Sequence, residues 1–195
     1  MAGILFLTTA HHYNDDRIFY HQAKALRDVG HKILICSLSS SYSGDLEGIQ
    51  IESSNILDKS TGEKTEFFKR VIQKFSPDCI IASEPLAVIS AAKYRRTDAK
   101  VLYDVTEWYP SERMLAPYST VAKPFHFLKF NAIQLYAGRS ADGFIFGEKT
   151  KKFPLAQIYP FKKSLISSYY PDPKYVKRNI IQPPSTEIVL CYTGK

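Results

Sequence analysis

The sequence predicts a doubly wound α/β domain, a mostly parallel sheet with helices on both faces. Three observations carry that reading. Apolar runs of strand length, GILFLT, KILICSL and DCIIAS among them, are continuous rather than alternating, as strands buried on both faces must be. Stretches of helical period separate them, so strand and helix alternate along the chain. The 195 residues, 45% hydrophobic and 23% charged with no heptad or triplet repeat, have the apolar content for one fully cored domain or slightly more.

Residues 3–8 form the first predicted strand. No Lys or Arg precedes GILFLTTA and the acidic patch Asn14-Asp15-Asp16 follows it, so it reads as a strand rather than a secretion signal. Residues 17–29 set Ile18, Phe19, Ala23, Ala25, Leu26 and Val29 at helical spacing, and Gly30 closes the helix. Residues 31–38 are the second strand and 48–51 a short third one. Thr61 opens a helix with Phe67, Phe68, Val71, Ile72 and Phe75 on one stripe, and Ser76-Pro77 stops it ahead of a buried strand at 78–83. Pro85 stands where a first helical turn tolerates it and opens a helix to about Tyr94. A strand at 100–105, a long helix at 121–140 and a strand at 142–147 continue the alternation. Residues 169–187, rich in Pro and without period, read as a linker, and 188–194 as one more buried strand running into a glycine turn. Having no helix behind it, that strand is expected to open a second domain, with residues 1–168 as the first; the alternative is that it joins the same sheet.

Cys36, Cys79 and Cys191 lie far apart inside apolar runs, the habit of core thiols in a reducing compartment rather than of a disulfide framework. No segment reaches the roughly 18 to 20 uninterrupted apolar residues that span a bilayer. Residues 1–119 carry 14 Lys and Arg against 15 Asp and Glu, whereas residues 120–195 carry 12 against 4. The formal charge of +7 therefore resides in the later part of the chain, which fits a phosphorylated ligand, a lipid surface or nucleic acid, or else a solvated basic face. No helix-turn-helix, aromatic RNA-binding signature or zinc spacing accompanies the charge, so no nucleic-acid partner is expected.

Ligands of open parallel sheets bind beyond the carboxyl ends of the strands, which directs attention to four loops. After the first strand, His11-His12-Tyr13-Asn14-Asp15-Asp16-Arg17 leads into a helix N-terminus, where polar side chains and free N–H groups can meet sugar hydroxyls or a phosphate. That loop contains no glycine, so it is neither a dinucleotide fingerprint nor a phosphate-wrapping loop. Its adjacent histidines and loose carboxylates lack zinc spacing, and no metal is expected. Asp15 or Asp16 is expected to cap the helix. After the strand at 100–105, the run Asp104-Val105-Thr106-Glu107-Trp108-Tyr109-Pro110-Ser111-Glu112 sets the only Trp beside a Tyr and carboxylates. Aromatic faces stack on sugar C–H groups while carboxylates accept hydroxyl hydrogens; alternatively Trp108 packs over the sheet end and Glu112 is solvated. Glu84 and Glu148, each following a strand, rank second because either can cap the next helix. Within residues 121–140, aromatic and basic residues interleave. Lys123, Phe125, Phe127, Lys129 and Phe130 would be the contacts if this stretch lies on an anionic membrane surface, the alternative being an ordinary helix over the sheet.

Taken in order, HHYNDDRIFYHQAKALRDVGHKILI at 11–35, VLYDVTEWYP at 101–110, ADGFIFGEK at 141–149, YYPDP at 169–173 and the terminal EIVLCYTGK resemble the N-terminal, acceptor-side domain of family 4 glycosyltransferases of the GT-B fold. They are most similar to the bacterial group whose pattern runs H…DxRI…A..L...GH.V, then YDVHE.YPE, then N.PD. The resemblance implies a Rossmann-like domain, one half of an enzyme that transfers a sugar from a nucleotide sugar to an acceptor hydroxyl with retention. It implies acceptor contacts in this half, to a small-molecule or lipid-linked glycan. The donor nucleotide and an E-x7-E acid pair would belong to a second, C-terminal domain absent from this chain. No cofactor is implied for this chain, the nucleotide sugar being a substrate of the full-length enzyme, and the isolated chain is expected to be inactive. His11, Asp16 and Arg17 fall on the first motif and Asp104 and Glu107 on the second; with His12, Thr106 and Trp108 they make up the expected acceptor site. Thr106 stands where the family pattern has His, and Tyr170 where it has Asn. No catalytic side chain is assigned, because in such enzymes the leaving phosphate itself is thought to take the acceptor proton, leaving alignment and charge stabilisation to the protein. The implied location is cytoplasmic, or peripheral on the cytoplasmic face of a membrane. The alternatives are a GT-B-fold sugar-nucleotide epimerase and a non-catalytic carbohydrate- or membrane-binding module.

Overall fold

A computed structural model describes residues 1–107 and 109–168. Trp108, Cys191, the expected linker and the expected terminal strand lie outside the described residues. Eight strands, β1 (Gly3–Thr8), β2 (Lys32–Ser37), β3 (Ser43–Leu46), β4 (Ile49–Glu52), β5 (Cys79–Ala82), β6 (Lys100–Val105), β7 (Gly143–Phe146) and β8 (Lys163–Ile166), form one sheet in the order β3-β4-β2-β1-β5-β6-β7-β8. Every neighbouring pair is parallel except β3 with β4, so the expected doubly wound α/β fold is present. Strand order reverses at β1, which pairs with β2 on one side and β5 on the other. The loops leaving β1 and β5 therefore diverge and open a crevice at their carboxyl ends.

Helix α1 starts with π-helical turns at Asp16–Ala23 and continues as α-helix through Lys24–Asp28. It is followed by α2 (Thr61–Phe75), α3 (Pro85–Tyr94), α4 (Glu112–Leu115), α5 (Lys123–Ser140) and α6 (Leu155–Ile158). Each central strand feeds two cores, because successive side chains point to opposite faces. In β1, Leu5 and Leu7 join Phe68, Val71, Val88, Tyr103, Phe144 and Leu155 in the core under α2, α3 and α6. Ile4 and Phe6 join Ile18, Phe19, Ala23, Ile33 and Ile81 in the core under α1. Helix α2 opens on a reciprocal capping box between Ser60 and Glu63 and ends where Ser76 adopts a left-handed conformation with φ of 52°.

The third predicted strand is β4, while β3 and β8 arise where no strand is expected. SGDL and KSLI are short edge strands, and all four residues of β8 are exposed, so neither needs the continuous apolar run that marks a buried strand. Cys36 and Cys79 are free, the first buried and the second partly so. Burial pushes both thiols up, Cys79 to about 11, which keeps them protonated. Among the described residues no helix is long and apolar enough to cross a membrane.

Candidate active site

A cleft of about 540 Å³ opens where the strand order reverses. Thr9, Ala10 and His11 come to it from the end of β1, Ser83 and Glu84 from the end of β5, and Thr106 and Glu107 from the end of β6. Tyr103 lines it from within β6, and Leu57, Lys64, Tyr109 and Met114 contribute further walls. A hollow of about 670 Å³ beside the β3–β4 hairpin involves Lys32 at the start of β2 and Phe75 at the end of α2, away from the strand reversal.

Glu84 fastens the two loops of the cleft together. Its carboxylate accepts the Thr8 hydroxyl at 2.9 Å and the backbone N–H groups of Thr9 at 2.8 Å and Ala10 at 3.2 Å. It does not cap α3; Pro85 occupies the first turn, and the Glu84 side chain crosses to β1 instead. Glu148 likewise makes no cap to the 3-10 turn that follows it at Lys149–Lys152. The acid ranked second in sequence is thus the one that sets the shape of the first loop.

His11 stands between two carboxylates. Its Nδ1 lies 3.1 Å from Asp15 Oδ2 and its Nε2 lies 3.7 Å from Glu84 Oε1. The Asp15 hydrogen bond, with Glu84 and Glu107 nearby, holds the imidazole above its ordinary 6.5 despite the opposing effect of burial. Burial pushes Asp15 up, but His11 and the N–H donors of Ile18 and Arg17 outweigh it and hold this carboxyl below its ordinary range. Asp15 is therefore the helix cap, accepting from Arg17 N at 3.0 Å and Ile18 N at 3.2 Å. The His11 carbonyl accepts the Ser37 and Ser39 hydroxyls at 2.6 and 2.8 Å, which ties the loop to the end of β2. Because His11 turns a different nitrogen to each carboxylate, the trio does not converge on one point, and no metal-ligand set forms among the described residues.

Arg17 and Asp104 meet on the α1 side of the sheet rather than in the cleft. Asp104 is fully buried, and Arg17 grips it with Nε at 3.1 Å and Nη2 at 2.6 Å. Gln22 Nε2 adds a third bond at 2.8 Å. Residues five apart in an α-helix point about 140° away from each other, so Arg17 and Gln22 could not both reach one carboxylate. The π-helical winding of Asp16–Ala23 removes that conflict, since its i to i+5 bonding brings such residues nearly in line. The remaining amino group, Arg17 Nη1, donates to the Ser167 carbonyl at 2.8 Å and so anchors the chain leaving β8.

Of the expected acceptor residues, the fold brings His11, Thr106 and Glu107 into the cleft, together with second-ranked Glu84. Glu107 is exposed there and has no hydrogen-bond partner among the described residues. The Thr106 carbonyl accepts the Lys151 ammonium. His12 is exposed, bonded to Asn14 and packed on Tyr13 with ring centroids 4.3 Å apart, and it is not part of the cleft wall. Asp16 is exposed at the start of α1, Arg17 and Asp104 form the buried pair, and Glu148 is exposed beside Thr150 at 3.3 Å. Lys64 and Leu57 are absent from the sequence-based site. Both follow β4, whose carboxyl end also faces the cleft; the rule that flagged the other loops extends to this one.

No protein-family model matches this chain, and no curated protein sequence matches it. Solved structures do. A glycosyltransferase from Rickettsia africae ESF-5 superposes with a TM-score of 0.54 at 19% identity, covering 91% of this chain and 46% of that one. The apo form of the lipopolysaccharide outer core galactosyltransferase WaaB gives 0.54 at 16% identity, over 95% of this chain and 50% of that one. The fold is a Rossmann-like domain of the GT-B kind. A UDP-GlcNAc 2-epimerase from Methanocaldococcus jannaschii has a TM-score of 0.50 at 9% identity, over 80% of this chain and 42% of that one. At these identities the similarity is one of fold, and the chain spans about half the length of the two glycosyltransferase structures it matches.

Proposed function

We propose that this chain is the acceptor-side half of a retaining glycosyltransferase, which moves a sugar from a nucleotide sugar to an acceptor hydroxyl. The observation that carries this reading is the cleft itself: the exposed Glu107 carboxylate and the His11 imidazole face it from two strand ends, the His11 loop being fixed by Glu84. A carboxylate accepts the hydrogen of a sugar hydroxyl and an imidazole N–H donates to its oxygen, so the pair can orient a polyhydroxylated acceptor. The acceptor is a small-molecule or lipid-linked glycan. A second α/β domain, supplied by the same polypeptide, holds the nucleotide sugar and closes the cleft. Orientation is the work of this half, and the transferred proton passes to the leaving phosphate, so no nucleophile is required of these residues. The reaction takes place in the cytoplasm, with its acceptor in solution or at the membrane face.

The fold similarity to the epimerase supports a second reading, in which the donor sugar is inverted at C2 rather than transferred. Incubating the full-length protein with nucleotide hexoses and a pool of glycan acceptors separates the two. Transfer predicts nucleoside diphosphate release that depends on acceptor, with the donor's anomeric configuration kept in the product. A C2 epimer formed without diphosphate release assigns the epimerase, and neither product leaves a binding module.

A further inference from the structure

Helix α5 buries one side and carries exposed apolar residues on the other. Its buried side carries Gln134, Ala137 and Gly138. At about 100° per residue, Phe125, Leu128, Ala132 and Tyr136 fall on the other side. Phe125 is 73% exposed, Leu128 66% and Tyr136 59%. A contiguous exposed apolar stripe marks a surface that meets a partner.

The charge around this stripe has one sign. Between Glu112 and Asp142 the chain contains no carboxylate, and the exposed Lys129 and Arg139 fall on the stripe's side of α5, whereas Lys123, sequence-assigned to the same surface, falls on the opposite side. We infer that this face of α5 docks on an anionic lipid bilayer, with Phe125, Leu128 and Tyr136 at the acyl boundary and the cations on headgroups. Phe130, sequence-assigned to the same surface, turns the other way: its ring meets Tyr109 edge to face at 5.8 Å, and Tyr109 lines the cleft. The docking stripe and the ring that meets the cleft wall therefore lie on opposite sides of α5, with the helix between them. The lipid-linked form of the acceptor rests on the proposed function; the docking does not.

The test is co-sedimentation of this chain with vesicles of phosphatidylcholine alone or mixed with phosphatidylglycerol, without any donor sugar. Binding is expected to the mixed vesicles only and to weaken with salt. Replacing both Lys129 and Arg139 with Gln is expected to lower partitioning roughly thirtyfold. The pair Phe125→Ser and Leu128→Ser is expected to abolish partitioning while leaving the circular dichroism melt unchanged, both side chains being exposed. Absence of binding to mixed vesicles overturns the inference, as does binding that neither double variant alters. Self-association lost in the Phe125→Ser, Leu128→Ser variant, without vesicle binding, assigns the face to a second copy of the chain. Failure of glycosyl transfer leaves this result untouched, because no sugar enters the measurement.

Discussion

Replacing Arg17 with Ala is expected to destabilise the fold by about 3–5 kcal/mol, because it strands a fully buried carboxylate without its counter-charge. Asp104 keeps only the Gln22 amide, and desolvation of the remaining charge is uncompensated. The same change frees the Ser167 carbonyl, so the strand end beyond β8 loosens with it. Gly147 reports on the same packing: a Cβ there would stand 3.3 Å from Arg17 Nη1, so alanine at this position presses on the guanidinium. The control is Arg17→Met combined with Asp104→Leu, which removes both charges together and is expected to recover most of the loss. Urea denaturation checks both, with a lower midpoint and unaltered slope for the single variant. A cost below about 1 kcal/mol would show that the pair contributes little.

Glu84→Ala is expected to cost about 2–3 kcal/mol, since one hydroxyl and two backbone N–H groups at the end of β1 lose their acceptor together. It also changes the pH response of the first loop. His11 is held above its ordinary 6.5, so its contribution to stability is complete below that value and is lost as pH rises through the folded value. Asp15 is held below its ordinary 3.8, so its contribution is present above that value and is lost as pH falls through the folded one. The pair therefore stabilises most in the mildly acidic range between them. The melting temperature should decline as pH climbs beyond 6.5, less steeply in Glu84→Ala and not at all through this group in His11→Asn. An identical decline in all three proteins would remove His11 from the explanation.

The central strands are legible in sequence because burial on both faces forces continuous apolar runs; β3 and β8 are not, because an edge strand can be polar. The site is legible in part for equally physical reasons. The loops after β1 and β6 stand out by position, and His11, Thr106 and Glu107 face the cleft. Asp104 is placed by the period of the strand: Tyr103 and Val105 face one core, so Asp104 between them faces α1 and pairs with Arg17. The winding of α1 leaves a trace as well, since Ile18 and Ala23, like Arg17 and Gln22, are five residues apart and share one side. Glu84 ranks only second from sequence, because its partners, one hydroxyl and two backbone N–H groups, are 74 to 76 residues away.

The account rests most directly on the cleft beyond β1, β5 and β6 being the place where an acceptor hydroxyl is held. Steady-state kinetics of the full-length protein carrying Glu107→Gln measure this. The account predicts an acceptor KM raised about tenfold, the loss of one charge-assisted hydrogen bond, with the donor KM and slow donor hydrolysis unchanged. An unaltered acceptor KM, or an equal loss toward donor and acceptor, would contradict it.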